Sequence, residues 1–267
     1  MPDVNSLSFE AEWHELSPGP VMCFTAGSGP ALLYLHSAAG FRPSPPVERL
    51  CRRFRIVAPV VPGFDSTPML RGVGSVAALA DVYAALIDKI AVGRCGVAGQ
   101  SLGAWIGAWL ALKHPEKVEP LILASPAGFR DPSLPPLSFE PETMIRQLHA
   151  HPERRPPETR PSEQLASNRE AMKHYRAGTS WDEDLNRRIG EIRSLTLIVH
   201  GTKDVRVPAD AVRRMRQVIP HSHLVYVNDA AHSIEFDQPD RVGKLYEDFL
   251  LRGEAFIVNA PAAPEHA

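Results

Sequence analysis

Val97-Ala98-Gly99-Gln100-Ser101-Leu102-Gly103 decides the reading of this chain: small and β-branched residues run into G-x-S-x-G, and a helix-forming segment follows at once. The pattern reads as a strand turning sharply into a helix, with Ser101 lifted out at the corner. Backbone passes so close on both sides of such a corner that only glycine fits the flanking positions, here Gly99 and Gly103. The corner also puts Ser101 at a helix N-terminus, where N–H groups without helical acceptors and the positive end of the macrodipole favour a developing oxyanion. Ser101 is therefore the candidate nucleophile. Isolated matches to this motif are usually plain turns, so its flanks carry the argument. Arg94 to Ala98 reads as a short buried strand, and Leu102 to His114 as a helix with Trp105, Trp109 and Leu112 at helical spacing, closed by Pro115.

Outward from this unit the same alternation recurs. Leu7 to Leu16 and Val21 to Thr25 predict two antiparallel strands about a turn at Pro18-Gly19-Pro20. Ala31 to Leu35 is apolar throughout, as a strand covered on both faces is, and ends at the small-residue loop His36-Ser37-Ala38-Ala39-Gly40. Such a loop lets backbone N–H groups approach a reacting carbonyl. Phe54 to Val61 predicts another buried strand, with a turn at Pro62-Gly63-Phe64-Asp65-Ser66, and Ser75 caps a helix whose apolar positions have a 3.6-residue period. Val118 to Ala124, Leu195 to His200 and Leu224 to Val227 supply further strands, with helices over Ala209 to Ile219 and Pro239 to Leu250. Alternating strands and helices predict an α/β fold, a mostly parallel central sheet with helices on both faces.

Between Arg130 and Ile192 the composition turns polar and proline-rich, as in His151-Pro152-Glu153-Arg154-Arg155-Pro156-Pro157. Helical patterns over Glu142 to Ala150, Ser162 to Arg176 and Asp182 to Ile192 carry apolar faces, so a packed helical insertion is expected rather than a disordered linker. The predicted organisation is a core of residues 1–129 and 193–252, a helical cap over 130–192 and a tail over 253–267.

With 267 residues the chain can bury a full core, and a formal net charge of −2 offers no basic stripe for nucleic acid and no polybasic anchor for a membrane. Met1 to Glu10 lacks a basic region followed by an apolar core, and no apolar run approaches the roughly 20 residues that span a bilayer. Cys23, Cys51 and Cys95 are widely spaced and odd in number, which predicts buried free thiols and a cytoplasmic location. A small-molecule substrate is expected, for a monomer or homodimer.

Five stretches together resemble the α/β-hydrolase superfamily along nearly the whole chain: Leu35 to Gly40, Ala58-Pro59-Val60-Val61-Pro62-Gly63-Phe64, Gly99 to Gly103, Gly201-Thr202-Lys203-Asp204 with Pro208, and Ala231-His232 with Asp237-Gln238-Pro239. The resemblance implies a catalytic triad. Ser101 would attack an acyl carbon, His232 would take and later return its proton, and Asp204 would hold the imidazole in the right tautomer. The order Ser, Asp, His is that of this fold. Asp210, Asp229 and Asp237 are weaker alternatives to Asp204, and His36 reads as a loop-orienting residue. The oxyanion hole would be the N–H groups of Leu102 and Ala38. Similar proteins usually have glycine after the first-loop histidine, where this chain has Ser37. Either its backbone avoids positive φ or its hydroxyl adds a donor. Ser37, Trp105, Met144, Met172 and Trp181 are candidates for the substrate pocket, though buried core is the commoner role of Trp105 and Trp109. No metal or cofactor is implied.

Related chemistries separate at single positions. Haloalkane dehalogenases and epoxide hydrolases of this fold use a carboxylate nucleophile, because a displaced alkyl group needs an ester intermediate that water can open. Ser101 speaks against both. Carbon–carbon bond hydrolases of ring-cleavage products share the triad but usually carry an aromatic residue after the histidine and asparagine before the serine, where this chain has Ser233 and Gln100. The resemblance therefore implies a serine hydrolase of small carboxylic esters or thioesters, with carbon–carbon bond hydrolysis second and a non-catalytic ligand-binding protein third.

Overall fold

The computed structural model describes residues 8–91, 93–138 and 140–257. Within them lies one eight-stranded sheet: β1 (Glu10–Leu16), β2 (Gly19–Ala26), β3 (Ala31–Leu35), β4 (Arg55–Pro59), β5 (Cys95–Gln100), β6 (Val118–Ala124), β7 (Thr196–Gly201) and β8 (Ser222–Val227), in the order β1-β2-β4-β3-β5-β6-β7-β8. β2 pairs antiparallel with both β1 and β4, and the remaining neighbours are parallel. Around the sheet lie α1 (Pro45–Leu50), α2 (Val76–Ile90), α3 (Leu102–Lys113), α4 (Pro141–Leu148), α5 (Ser162–Arg176), α6 (Glu183–Arg188), α7 (Ala209–Val218), α8 (Ile234–Asp237) and α9 (Pro239–Arg252).

The period-two alternation of a strand sorts the core onto two faces. Leu33 and Leu35 of β3 join Val57, Val97, Leu121 and Leu123 against α2 and α3. Leu32 and Tyr34 point the other way, to Ile56, Ala98, Ile122 and Leu197 against α1 and α9. A continuous apolar run in the sequence is thus two interleaved half-cores. α3 lies so deep that every residue from Leu102 to Leu112 is buried, which no single stripe at helical spacing conveys.

Ser75 caps α2 as its sequence position predicts: its hydroxyl accepts the Ala78 N–H at 3.1 Å. Ser75→Ala is expected to cost about 1 kcal/mol of stability, read as a lower urea midpoint at unchanged slope.

Several boundaries move. The first turn is Ser17-Pro18, because Leu16 pairs with Gly19 and Glu15 with Pro20, which places Gly19 and Pro20 inside β2. α1 has no sequence signal because Pro45 and Pro46 fill its first turn, where their missing N–H groups have no helical acceptor to lose. Between β6 and β7 stand α4, α5 and α6, within two residues of the predicted helical starts. Residues 253–257 form a short turn of 3-10 helix in which Phe256 packs 5.3 Å from Phe249. The remainder of the expected tail, 258–267, and the predicted start of β1 at Leu7 lie outside the described residues.

Candidate active site

β5 ends at Gln100 and α3 begins at Leu102, leaving Ser101 at φ 57°, ψ −108°. The two glycines have different reasons to be there. A Cβ on Gly99 would lie 2.4 Å from the Gly103 backbone, and one on Gly103 only 1.8 Å from the Leu35 carbonyl oxygen. The strained corner is tied down by its own backbone, since the Ser101 N–H donates to Ala124 O at 2.9 Å and its carbonyl accepts Trp105 and Ala127 N–H at 3.1 Å each.

Three separate strand ends deliver the polar chain. The Ser101 hydroxyl lies 2.8 Å from His232 Nε2, and His232 Nδ1 lies 3.0 Å from Asp204 Oδ2. An ionised carboxylate only accepts, so the bond to Asp204 places the imidazole proton on Nδ1 and leaves Nε2 free to accept from serine. Asp204 Oδ1 takes the N–H groups of Arg206 at 2.8 Å and Val207 at 3.0 Å. Burial alone would raise the Asp204 carboxyl, but His232, the Val207 N–H and His200 outweigh it and hold the group below its ordinary value. The weaker alternatives are engaged elsewhere: Asp210 with Arg213, Asp229 with Lys203 and His151, and Asp237 with the N–H groups of Ala150, His151 and Ala231. Gln100 donates to the His232 carbonyl at 2.9 Å and so braces the imidazole from behind.

His36 orients its loop. Nδ1 donates to Ser37 O at 2.7 Å and Nε2 accepts the Val61 N–H at 2.9 Å, a pattern met only by the neutral ring, and burial lowers its pKa accordingly. Of the two alternatives at Ser37, its backbone avoids positive φ, and its hydroxyl accepts the Ala39 N–H at 3.2 Å within the loop. The left-handed residue is Gly40, at φ 82°. Ala38 lines the cavity beside Ser101, and the Leu102 N–H opens α3, where no helical acceptor faces it.

Above Ser101 and His232 is a cavity of about 860 Å³. Ser37, Trp105, Met144 and Met172 line it, together with Leu148 and Val207. Trp181 does not. It borders a separate depression with Trp109 and Asp182, its ring 5.8 Å from the Arg214 guanidinium. The cause is Asp182, whose Oδ2 accepts both indole N–H groups, Trp105 and Trp109, at 2.7 Å each, while Oδ1 caps α6 through the Leu185 N–H. One carboxylate thereby draws this stretch onto α3 and away from the cavity. Trp105 is both buried core and cavity wall.

Two acidic residues went unread. Asp65, at φ 50°, accepts Asn168 and Gln164 of α5 at 3.0 Å each and pairs with Arg160, while its other oxygen takes the Phe41 N–H at 3.3 Å. It joins the segment between β6 and β7 to the loop after β3. Its sequence sign is an acid two residues after Pro62-Gly63 in a turn. Glu235 sits between Ile234 and Phe236, and a charge in an apolar triplet was the missed signal. Buried, it accepts the hydroxyls of Tyr34 at 2.7 Å, Ser44 at 2.6 Å and Tyr246 at 3.2 Å, and among the described residues it has no cationic partner.

Burial pushes the Glu235 carboxyl above its ordinary 4.5, partly offset by those hydroxyls. Between the ordinary and the raised value the folded chain keeps a proton that the unfolded chain has released, so stability falls as pH rises across that window. Glu235→Gln has no proton to release. The variant should lose less stability than the parent between weakly acid and neutral pH, read from urea midpoints, and an equal loss in both would contradict it.

This geometry agrees with the comparisons. The chain belongs to the alpha/beta hydrolase family, whose model matches residues 26–245. It is 25% identical to a 2-hydroxymuconate semialdehyde hydrolase of Pseudomonas putida, over 95% of each chain. Against haloalkane dehalogenase 2 of Mycobacterium tuberculosis (strain ATCC 25618 / H37Rv) it is 26% identical, covering 90% of this chain and 95% of the relative. Among solved structures, a thermophilic esterase from Thermogutta terrifontis superposes with a TM-score of 0.72 at 23% identity, over 91% of this chain and 98% of the esterase. The mostly parallel eight-stranded sheet is the α/β-hydrolase fold.

Proposed function

We propose that the protein hydrolyses a small carboxylic ester or thioester through an acyl-enzyme on Ser101. The observation that carries this is the hydrogen-bonded line Ser101–His232–Asp204 opening into a cavity. Ser101 Oγ attacks the acyl carbon as its proton passes to His232 Nε2. The carbonyl oxygen gains the electron pair and is met by the N–H groups of Leu102 and Ala38. The intermediate collapses as the imidazolium gives its proton to the departing alcohol or thiol. Water, deprotonated by His232, then releases the carboxylic acid. A serine at position 101 gives no displaced alkyl group the openable ester that a dehalogenase requires.

The test is a stopped-flow course of p-nitrophenyl ester cleavage over several acyl lengths, beside labelling with a fluorophosphonate. A burst of about one p-nitrophenolate per chain and a label on Ser101 are expected. Well-folded protein showing neither would overturn the reading.

A second reading, carbon–carbon bond hydrolysis, is favoured by the curated relatives, among them a 2-hydroxy-6-oxo-6-phenylhexa-2,4-dienoate hydrolase of Comamonas testosteroni, 24% identical over 84% of this chain. Gln100 and Ser233 keep it second. Turnover of a 2-hydroxy-6-oxo-dienoate exceeding that of every ester would reverse the order.

The three thiols support a reducing, cytoplasmic setting. All are free and buried, with Cys23 pushed up to about 12 and Cys51 and Cys95 to about 11 by burial. Among the described residues no helix is long and apolar enough to cross a membrane.

A further inference from the structure

The cavity is lined by an excess of cationic side chains. At one end, Arg42 and Arg160 pair with Glu158 and Asp65, while the exposed Arg155 and Arg169, which also line the cavity, pair with no carboxylate among the described residues. The wall made by the loops after β6 and β7 and the end of α5 carries Arg130, Arg206 and Arg176, and among the described residues none of these three forms an ion pair with a carboxylate. Arg130 is committed to the carbonyl oxygens of Val205, Arg206 and Pro135 and fixes the loop. Arg176 spends its Nε–H on Thr179 O, and Arg206 makes one long bond, 3.4 Å, to Gln147. A guanidinium has five N–H donors, so both retain most of their donors, and both line the cavity.

The acids nearby are already occupied. Asp204 serves His232 and two backbone N–H groups, and Asp131, at the rim, is exposed and accepts the Ser133 N–H. Arg206 feels the crowding: burial lowers its proton affinity, Asp204 opposes this, and Arg176 and Arg130 lower it further. Half-buried cations with mutual repulsion and no carboxylate in direct contact cost stability, and that cost is relieved when an anion arrives. A planar fork suits a carboxylate.

We propose that the substrate carries a free carboxylate besides its scissile bond, as in a dicarboxylic acid half-ester, and that Arg206 and Arg176 receive it. This rests on the hydrolase reading for the scissile half and on the charge distribution for the anion.

The test compares p-nitrophenyl hydrogen glutarate with p-nitrophenyl pentanoate, similar in length and differing in charge. The parent should favour the charged ester about tenfold or more in kcat/KM, and added salt should narrow the preference. Arg206→Gln and Arg176→Gln should each reduce the ratio of the two rates, and Arg206→Lys should retain part of it. A parent that prefers the neutral ester, or a ratio unmoved in both glutamine variants, overturns the proposal. Should neither ester show Ser101-dependent turnover, it is the hydrolase reading that fails. Glutarate titrated calorimetrically into Ser101→Ala protein then decides the anion site alone. Salt-sensitive binding weakened by Arg206→Gln upholds the site, and absence of binding removes it.

Discussion

Ser101→Ala is expected to leave the fold intact and to lower kcat/KM for every cleaved ester by about 10⁴-fold or more. The hydroxyl makes one side-chain bond, to His232, while the elbow is held by the Ser101 N–H and carbonyl, which alanine keeps. What remains is His232 acting on water and the proposed oxyanion N–H groups of Leu102 and Ala38, worth about 10³–10⁴-fold over the uncatalysed reaction in comparable sites. His232→Ala should cost a similar factor, and the double variant little more, because the pair acts as one unit. Initial rates of the three variants beside unchanged thermal unfolding would show this, and full turnover by Ser101→Ala would end the acyl-enzyme proposal. Asp204 stays ionised in weak acid, because its carboxyl is held below the ordinary range.

Gly103→Ala should be among the most destabilising single changes in the chain, about 3–5 kcal/mol or loss of soluble protein. Its Cβ would meet Leu35 O at 1.8 Å and Leu35 C at 2.4 Å, both backbone atoms of the central strand with no rotamer by which to yield. Relief requires α3 to lift from the sheet, which also displaces Leu102 and the His36–Ala38 loop that continues from Leu35. Any folded remainder should therefore be poorly active as well. Gly107→Ala is the control on the same helix. There the added carbon meets only side chains, the nearest 3.5 Å away, and the helix gains up to about 1 kcal/mol from exchanging glycine for alanine. Urea midpoints moving in opposite directions for the two variants would confirm that the close approach, not helix propensity, fixes position 103.

What the sequence made legible was local. Small residues around Ser101, apolar runs bounded by turns, and Ser75 before an amphipathic helix each express a constraint acting within a few residues, and each appears within a few residues of its predicted place. The five motifs also placed Ser101, Asp204 and His232, which lie far apart in the chain and meet at adjoining strand ends. Features set by distant partners were not legible. Trp181 reads as a cavity aromatic until Asp182 is seen binding two indoles of α3. Asp65 reads as a turn residue until α5 folds over it. Glu235 has meaning only once Tyr34, Ser44 and Tyr246, from three separate parts of the chain, close around it. α1 was missed for a different reason: two prolines look like a loop, yet a first helical turn has no use for their absent donors.

The carboxylate of Asp65 has a bearing on protein engineering. Because it grips α5 with one oxygen and the loop after β3 with the other, the segment between β6 and β7 that helps line the cavity is not an interchangeable part. A chimaera that imports residues 130–192 from a relative but omits counterparts of Arg160, Gln164 and Asn168 would strand a half-buried charge and slacken the loop holding Ala38. Recombination boundaries drawn at the strand ends would thus transfer a pocket while loosening the machinery it feeds, unless position 65 travels with the graft.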